Sequence, residues 1–341
     1  PESETLGHIS VEGFVKQYRS ICGMTGTAIA SEEEFHQKYG LPVTVLPPTH
    51  VLQRVDLGNQ VYLNNDDKNA AITDQVASAH DLGQPVLVGT LTVEQSQEIS
   101  HLFTHKGIPH HLLNAVNSDT ESEIIKNAGS FGAVTVATNM AGRGTDIMLE
   151  SDLEAKITQR HSRLTSATPG RKDHGIQALD YSLGLRVIGT ELNETPRIDL
   201  QLNGRSGRQG SFGVSQTILS LEDRLLNLHA DGILKLSKCR RTDASGRIYY
   251  SGDAVNRHVH HVQDIVANEA EVHRALIQDY ASVLDHQTAL FYRQRREIVD
   301  ASQLGGGPDK WAKIAQEHAF RLVSAHFQQV TLEDYHIQFD R

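Results

Sequence analysis

The sequence predicts an α/β protein, a doubly wound parallel sheet followed by a long α-helical segment. Three observations carry that expectation. Between Gln84 and Leu221 short β-branched runs alternate with helical patterns, as strands joined by crossover helices require. From Asp253 to Asp300 apolar residues recur every three or four positions, which lines them along one helix face. The composition is that of a globular chain: 341 residues, 38% hydrophobic, 22% charged, with 27 Gly and 9 Pro. It excludes disordered, collagenous and disulfide-scaffold classes and allows two domains or slightly more, at ~100–200 residues each.

The elements follow in chain order. Val43-Thr-Val-Leu46 and Gln60-Val-Tyr-Leu63 read as strands entering the sheet domain, with Pro47-Pro48 between them. Pro85 to Thr90 is a buried strand. Thr92 caps a helix with Gln95 completing a capping box; Ile99, Leu102 and Phe103 form its apolar face, and Gly107 stops it. His111 to Asn114 is the next strand. Thr120 and Glu123 form a second capping box, Ile124 and Ile125 pack inward, and Gly129 ends that helix. Ala133 to Ala137 is the third strand, and Glu150 to Leu183 a polar excursion with one helix, Leu153 to Arg163. Leu185 to Gly189 and Val214 to Leu221 are strands flanking a helix that begins near Arg197 and carries Gln201, Arg205 and Arg208. Val255, Val259, Val262, Val266, Val272, Leu276, Tyr280, Val283, Leu290 and Phe291 mark the long helix, or two in line, which Gly305-Gly306-Gly307-Pro308 breaks. A short helix with Trp311, Ile314, Ala315, Phe320, Leu322 and Val323 as apolar residues follows.

Charge and special residues narrow the function classes. With 32 Lys+Arg against 42 Asp+Glu the net charge is −10, which argues against coating nucleic acid. Cys22 and Cys239 form no CxxC pair, so neither zinc ribbon nor disulfide framework is readable and a reducing setting fits. The histidine groups His101, His105, His110, His111 and His258, His260, His261 invite a metal reading, but no carboxylate sits at ligand spacing, so they read as surface histidines. No apolar run approaches the ~20 residues of a spanning helix, and the first residues lack a signal-peptide pattern. The missing initiator Met suggests a processed or excised piece.

Two segments carry chemistry. In Ala141-Gly-Arg-Gly-Thr-Asp146, glycines let backbone approach a ligand, Arg143 offers a cation and Asp146 an acceptor for a sugar hydroxyl. In Gln201 to Gly210, Arg205 and Arg208 lie three apart, a guanidinium pair suited to phosphate. The plainer alternative for both is a Gly-rich turn whose arginines meet surface carboxylates.

Gly23-Met-Thr-Gly-Thr-Ala28, Gly83 to Thr90, Ala137 to Ile147 and Gln201 to Gly210, in that order, resemble the motifs of the SecA family of bacterial preprotein translocase ATPases. Asp279-Tyr280, Val283, Gln287 and Tyr292 to Glu297 are similar to the first helix of that family's helical scaffold. The resemblance implies a RecA-like sheet of the P-loop NTPase and helicase type. It assigns residues 1–28 to the end of a first motor domain with its coupling motif (Gly23, Thr25, Gly26, Thr27) and 29–223 to the second nucleotide-binding domain. Residues 224–252 become a linker, 253–304 the scaffold helix and 305–341 a short helical end.

It further implies that Arg143 faces the phosphates and Asp146 the ribose, within a loop that includes Gly142 and Gly144. Arg205 and Arg208 become arginine fingers at the γ-phosphate, Gln201 links nucleotide to domain interface, and Gly89 and Thr90 belong to the motif opening the domain. The cofactors implied are ATP and Mg, the metal being bound by the other motor half. The partners implied are the first nucleotide-binding domain, the SecYEG channel, a preprotein and an anionic lipid surface, with no nucleic acid. The implied location is cytoplasmic, peripheral to the inner face of the cell membrane.

The sequence also departs from the family. It holds no Gly-x-x-x-x-Gly-Lys-[Ser/Thr] and no Asp-Glu-Ala-Asp-like strand end, so this chain alone is expected not to hydrolyse ATP. Asn203 stands for an Arg, Ser211-Phe212 for Asp-Pro, Val116 and Ser118 for Lys and His, and Leu192, Asn193, Pro196 and Leu200 for polar residues, drift typical of a divergent or accessory member. Two other readings stay open: a non-hydrolysing nucleotide-sensing or partner-binding module, and the second half of a nucleic-acid helicase. The apolar stripe of the long helix could equally be simple packing, and Tyr292 to Arg296 a solvated basic face.

Overall fold

The computed structural model describes residues 9–113, 121–138, 145–167, 183–303, 312, 313, 315–317 and 319–321. It divides into two compact units, one of residues Cys22–His273 and one of residues Pro1–Ile21 with Arg274–Arg341.

The first unit holds α2 (Glu32–Tyr39), β1 (Gln53–Tyr62), α3 (Asn65–Leu82), β2 (Val86–Thr90), α4 (Val93–Lys106), β3 (His111–Leu113) and α5 (Glu121–Asn127). There follow β4 (Val134–Thr138), α6 (Leu153–Ala167), β5 (Leu185–Gly189), α7 (Pro196–Asn203), β6 (Phe212–Ser220), α8 (Arg224–Asn227), α9 (Ala230–Leu234), β7 (Arg240–Thr242) and β8 (Ile248–Ser251). The strands form one sheet in the order β3-β4-β2-β5-β6-β1-β8-β7. The first six pair in parallel and β8 and β7 add antiparallel at the β1 edge.

Strand alternation sends neighbouring residues to opposite faces, and both faces are covered. Val86, Val88, Val134, Val136, Ile188 and Ile218 meet Ala71, Ile72 and Val76 of α3 and Ile99 and Phe103 of α4. Leu87, Ala137, Leu185 and Val187 face the other way, onto Ile125, Ala128, Ile147 and Leu202. A third cluster joins Val61 and Leu219 to Leu225, Leu226, Ile233 and Tyr250, and to Val255, Val259 and Val262 of α10 (Asp253–Gln303). At roughly 1.5–3 kcal/mol per large apolar side chain buried, these three clusters hold the unit together. The doubly wound sheet and the long helix are both as expected.

Several local expectations are corrected. Residues 43–46 are not a strand: Val45 and Leu46 are 68% and 79% exposed, and Pro47-Pro48 just beyond supply no N–H to a ladder. The helix α3 is an addition to the elements expected, although Asn64 caps it by accepting from the Asp67 N–H at 2.7 Å and Gly83 closes it at φ 84°. Residues 224–252, expected to link domains, instead supply two short helices and the β7–β8 hairpin, because Leu225, Leu226, Ile233 and Tyr250 are buried core. At Thr92 the cap forms, but the Gln95 side chain accepts from the Leu91 N–H, one residue earlier than a capping box requires. The helix expected over Leu153 to Arg163 runs on to Ala167. Thr120 of the second capping box, Asn114, and Trp311, Ile314, Leu322 and Val323 lie outside the described residues.

In the other unit α1 (Val11–Val15) is capped by Ser10, whose hydroxyl accepts from the Gly13 N–H. Ser10 also donates to Asp285 of α10, and Gln278 donates to Glu12. Here the α10 side chains Leu276, Tyr280 and Val283 are exposed. Among the described residues no helix is long and apolar enough to cross a membrane.

Candidate functional site

After β4 the described chain resumes at Thr145, and Ile147 enters the core against Leu87, Leu185 and Leu202. Met148 then passes so close to Gly129 that a Cβ there would lie 2.1 Å from its carbonyl oxygen, which requires glycine. The Glu150 N–H donates to the Gly129 carbonyl and its carboxylate accepts from the Phe131 N–H, returning the segment to the amino end of β4. Asp146 thus lies near the start of β5.

The arginine segment reaches the same place by a different path. α7 ends at Asn203, so Arg205 and Arg208 lie beyond it, not on it. Gly207 at φ 71° and Gly210 at φ 80° wind the loop, and Gln209 between them is left-handed at φ 52°, a conformation costing on the order of 1–2 kcal/mol for a residue with a Cβ. The Ser206 hydroxyl donates to the Leu185 carbonyl at 2.7 Å and fixes the loop to the first residue of β5. A Cβ at Gly213 would stand 2.0 Å from that hydroxyl.

This loop brings the two motif segments together. Arg205 Nη1 donates to the Thr145 carbonyl at 3.1 Å. Arg208 Nη1 meets Asp146 Oδ1 at 2.7 Å, while its Nε donates to the Gly204 carbonyl at 2.8 Å. The Arg208 and Asp146 side chains are 39% and 35% exposed, so the pair stands in contact with water. A cavity of about 120 Å³ opens between the segments, lined by Asp146, Leu185, Arg205, Arg208 and Ser211 among others. Two guanidinium groups lining one cavity suit oxyanions such as phosphate. The three-residue spacing of the arginines is therefore not a helical spacing; the left-handed Gly207 turns the chain so that both side chains line one cavity.

Other expected site residues are placed as follows. Gln201 Nε2 donates to the Thr27 hydroxyl at 3.5 Å, and Thr25 and Thr27 hydroxyls are 3.3 Å apart, so the Gly23-to-Thr27 segment touches α7 through Thr27. A Cβ at Gly23 or Gly26 would meet nothing within 4 Å. Gly89 and Thr90 are not at the cavity. They end β2 level with Gly189, four residues along β5 from Leu185, or ~13 Å at 3.3 Å per residue. Thr90 is buried and its hydroxyl faces the Thr92 and Ala137 carbonyls. Gly142, Arg143 and Gly144 lie outside the described residues.

α7 is anchored from below by Asp199, which accepts from Asn193 and from Gln263 of α10 at 2.6 and 2.5 Å. Burial pushes the Asp199 carboxyl above its ordinary pKa, and those hydrogen bonds partly offset the rise. Of the histidines, His110 is held by Ser100 and the Ile108 carbonyl. Among the described residues no group of three or more His, Cys, Asp or Glu could hold a metal ion. One residue at the cavity loop, Arg54, belongs to none of the motifs. Its signal in the sequence is the alternation Arg54-Val-Asp56, which puts a guanidinium and a carboxylate on one strand face.

Comparisons with known proteins identify the family. A model of the SecA P-loop domain matches residues 51–240, and one of the SecA DEAD-like domain matches residues 1–36. The chain is 37% identical over 328 residues to the protein translocase subunit SecA of Pelotomaculum thermopropionicum, covering 89% of this chain and 37% of that protein. It is 39% identical over 306 residues to that of Clostridium tetani (89% and 33%), and 38% over 318 to that of Desulforamulus reducens (89% and 36%). The chain thus spans about a third of the length of these relatives. Solved structures similar to part of it include the Escherichia coli DEAD-box protein SrmB bound to RraA (TM-score 0.35, 18% identity, 52% of this chain and 83% of that one). Another is the C-terminal domain of the DEAD-box protein Dbp5 (0.33, 16%, 53% and 84%).

Proposed function

The chain belongs to the SecA family, and on that premise we propose that it is the second RecA-like half of an ATP-driven preprotein motor, the half that presents arginines to a nucleotide held by another domain. The observation that carries the reading is the convergence of Arg205 and Arg208 on one cavity with Asp146, from segments about 60 residues apart. The donor set fits a phosphate chain: Arg208 is part exposed, and its present partner is a carboxylate that a phosphate oxygen can replace. It offers magnesium nothing comparable, since no metal-holding group stands among the described residues.

Bound ATP would supply the phosphoryl group whose transfer drives the cycle. The residues of this chain would then orient and neutralise: Arg205 and Arg208, with Arg143, at the phosphates, and Asp146, freed from Arg208, at the ribose, beside Gly142 and Gly144. Gln201 would report the state of the site to Thr27 and the Gly23-to-Thr27 coupling segment. Gly89 and Thr90, at the opposite end of the strands from the cavity, would shape the domain and contact nucleotide only through its rearrangement. The intact protein would be a protein-translocating ATPase acting at the cytoplasmic face of the membrane with SecYEG, a preprotein and anionic lipid.

The test is ATP turnover of this chain alone and mixed with a separately made first motor half that carries a P-loop. Turnover is expected only in the mixture, and Arg208→Ala should lower it ~10³-fold or more, as loss of an arginine finger does. Hydrolysis by the chain alone, or an assembled mixture that stays silent, sinks the reading; silence with retained nucleotide binding transfers support to a non-hydrolysing module.

A further inference from the structure

One residue that touches the arginine loop lies neither in the loop nor in a motif. Arg54, near the start of β1, grips Asp56 with two parallel bonds, Nε to Oδ1 at 2.8 Å and Nη2 to Oδ2 at 3.1 Å. Its remaining nitrogen, Nη1, donates at 3.1 Å to the carbonyl of Asn203, the last residue of α7. That carbonyl lies at the negative end of the helix, where a cation is the natural partner. The Arg54 stem lies under Gly207: a Cβ added there would come within 2.6 Å of the Arg54 Cβ. Arg54 therefore touches Asn203 and Gly207, which flank Arg205, and Gly207 directly precedes Arg208.

Asp56 is fixed in turn by the Ser215 hydroxyl of β6, a residue 2% exposed. Burial of the Asp56 carboxyl would raise its pKa, but the bonds from Arg54 and Ser215 outweigh this and hold it below the ordinary value. Each arginine is paired with a carboxylate, but the Arg54 side chain is 14% exposed, beneath a 54% exposed Asp56, whereas Arg208 is 39% exposed. The two cations are therefore built for different tasks, one fixed and one available.

We propose that Arg54, locked by Asp56 and Ser215, is a positioning residue that sets the Gly204-to-Gly210 loop so that Arg205 and Arg208 share one cavity. The inference rests on the arginine reading above and adds a residue that no motif includes. Lysine cannot take its place, because one ammonium lacks the fork that engages Asp56 and Asn203 together.

Two measurements on Arg54→Gln and Arg54→Lys test it. In this chain by itself, hydrogen exchange at amides 205–211 should speed up roughly tenfold while β2 amides stay unchanged, as for a local opening. In the two-half mixture, Arg54→Gln should lower kcat ~10²-fold, the size expected of a small misplacement, with the KM for ATP nearly unchanged. In an Arg208→Ala background it should lower kcat no further, since the two act through one loop. Arg54→Lys, which keeps the charge, should show the same pattern at smaller size. Unchanged loop exchange, or an equal fall in kcat in both backgrounds, overturns the proposal. If Arg208→Ala itself leaves turnover intact, the arginine reading fails and takes this inference with it.

Discussion

Two ion pairs of the first unit use the same chemistry in opposite surroundings. Lys68 of α3 and Asp223, just after β6, meet at 2.5 Å with side chains 4% and 3% exposed. Arg208 and Asp146 meet at 2.7 Å with side chains 39% and 35% exposed. The first pair is sealed: Asp223 also accepts from the Ser220 N–H, and its carbonyl accepts from Leu226 and Asn227, so it ties β6 to α8. The second borders a cavity, and water can replace either partner. The contrast separates a contact that fixes the fold from one that can be exchanged for a ligand.

Breaking the sealed pair should have the larger effect on stability. Lys68→Met leaves the Asp223 carboxylate buried without its cation, and a lone buried charge costs about 3–5 kcal/mol. Urea denaturation followed by far-ultraviolet circular dichroism should show that loss. The double change Lys68→Met with Asp223→Leu should recover most of it, because two apolar side chains need no partner. A single variant as stable as the parent would show that the pair is not sealed.

The pair also predicts a pH dependence. Burial pushes the Asp223 carboxyl up to about 6 from 3.8, with Lys68 and the Ser220 N–H pulling it part of the way back. A carboxyl whose folded pKa is raised binds its proton more tightly when folded, so its contribution to stability falls as pH rises from about 4 to about 6 and is level beyond. Urea midpoints of the parent and of Asp223→Asn, compared from pH 4 to 7, should diverge across that window, the parent losing stability relative to the variant. Parallel curves would place the Asp223 pKa back in the ordinary range.

What could be read from the sequence follows from how local each feature is. β2, β4 and β5 were legible because each is a short apolar run whose residues are all, or nearly all, buried. α3 was not, since Ala71 and Ala79 supply half of its buried apolar face and its helical pattern is weak; it packs by fit more than by hydrophobic bulk. β7 escaped for another reason: Arg240, Arg241 and Thr242 are all exposed, and only pairing with β8 makes them a strand. At the site, Arg205, Arg208 and Asp146 were legible as residue types in Gly-rich segments. Their meeting was not, because it depends on the left-handed turn at Gly207 and on a return of the chain across the sheet face. Arg54 lies 149 positions from Asn203, and nothing in the neighbourhood of either announces the other.

The smallest stability effect should come from Asp146→Asn, the counterpart of the Lys68 experiment at the open pair. A pair about one-third exposed contributes about 0–1 kcal/mol, so the melting temperature should move little. The surface pair Arg224–Glu194, 78% and 47% exposed, sets the scale, and Glu194→Gln should shift it no more. Arg208 in the Asp146→Asn variant keeps its bond to the Gly204 carbonyl but loses its counter-charge, so its guanidinium is freer to meet an oxyanion. Inorganic triphosphate should then bind this variant at least as tightly as the parent, measured by calorimetry. Weaker binding together with a large drop in melting temperature would mean that Asp146 holds the loop in shape, as Asp56 does through Arg54, and that the open pair is structural after all.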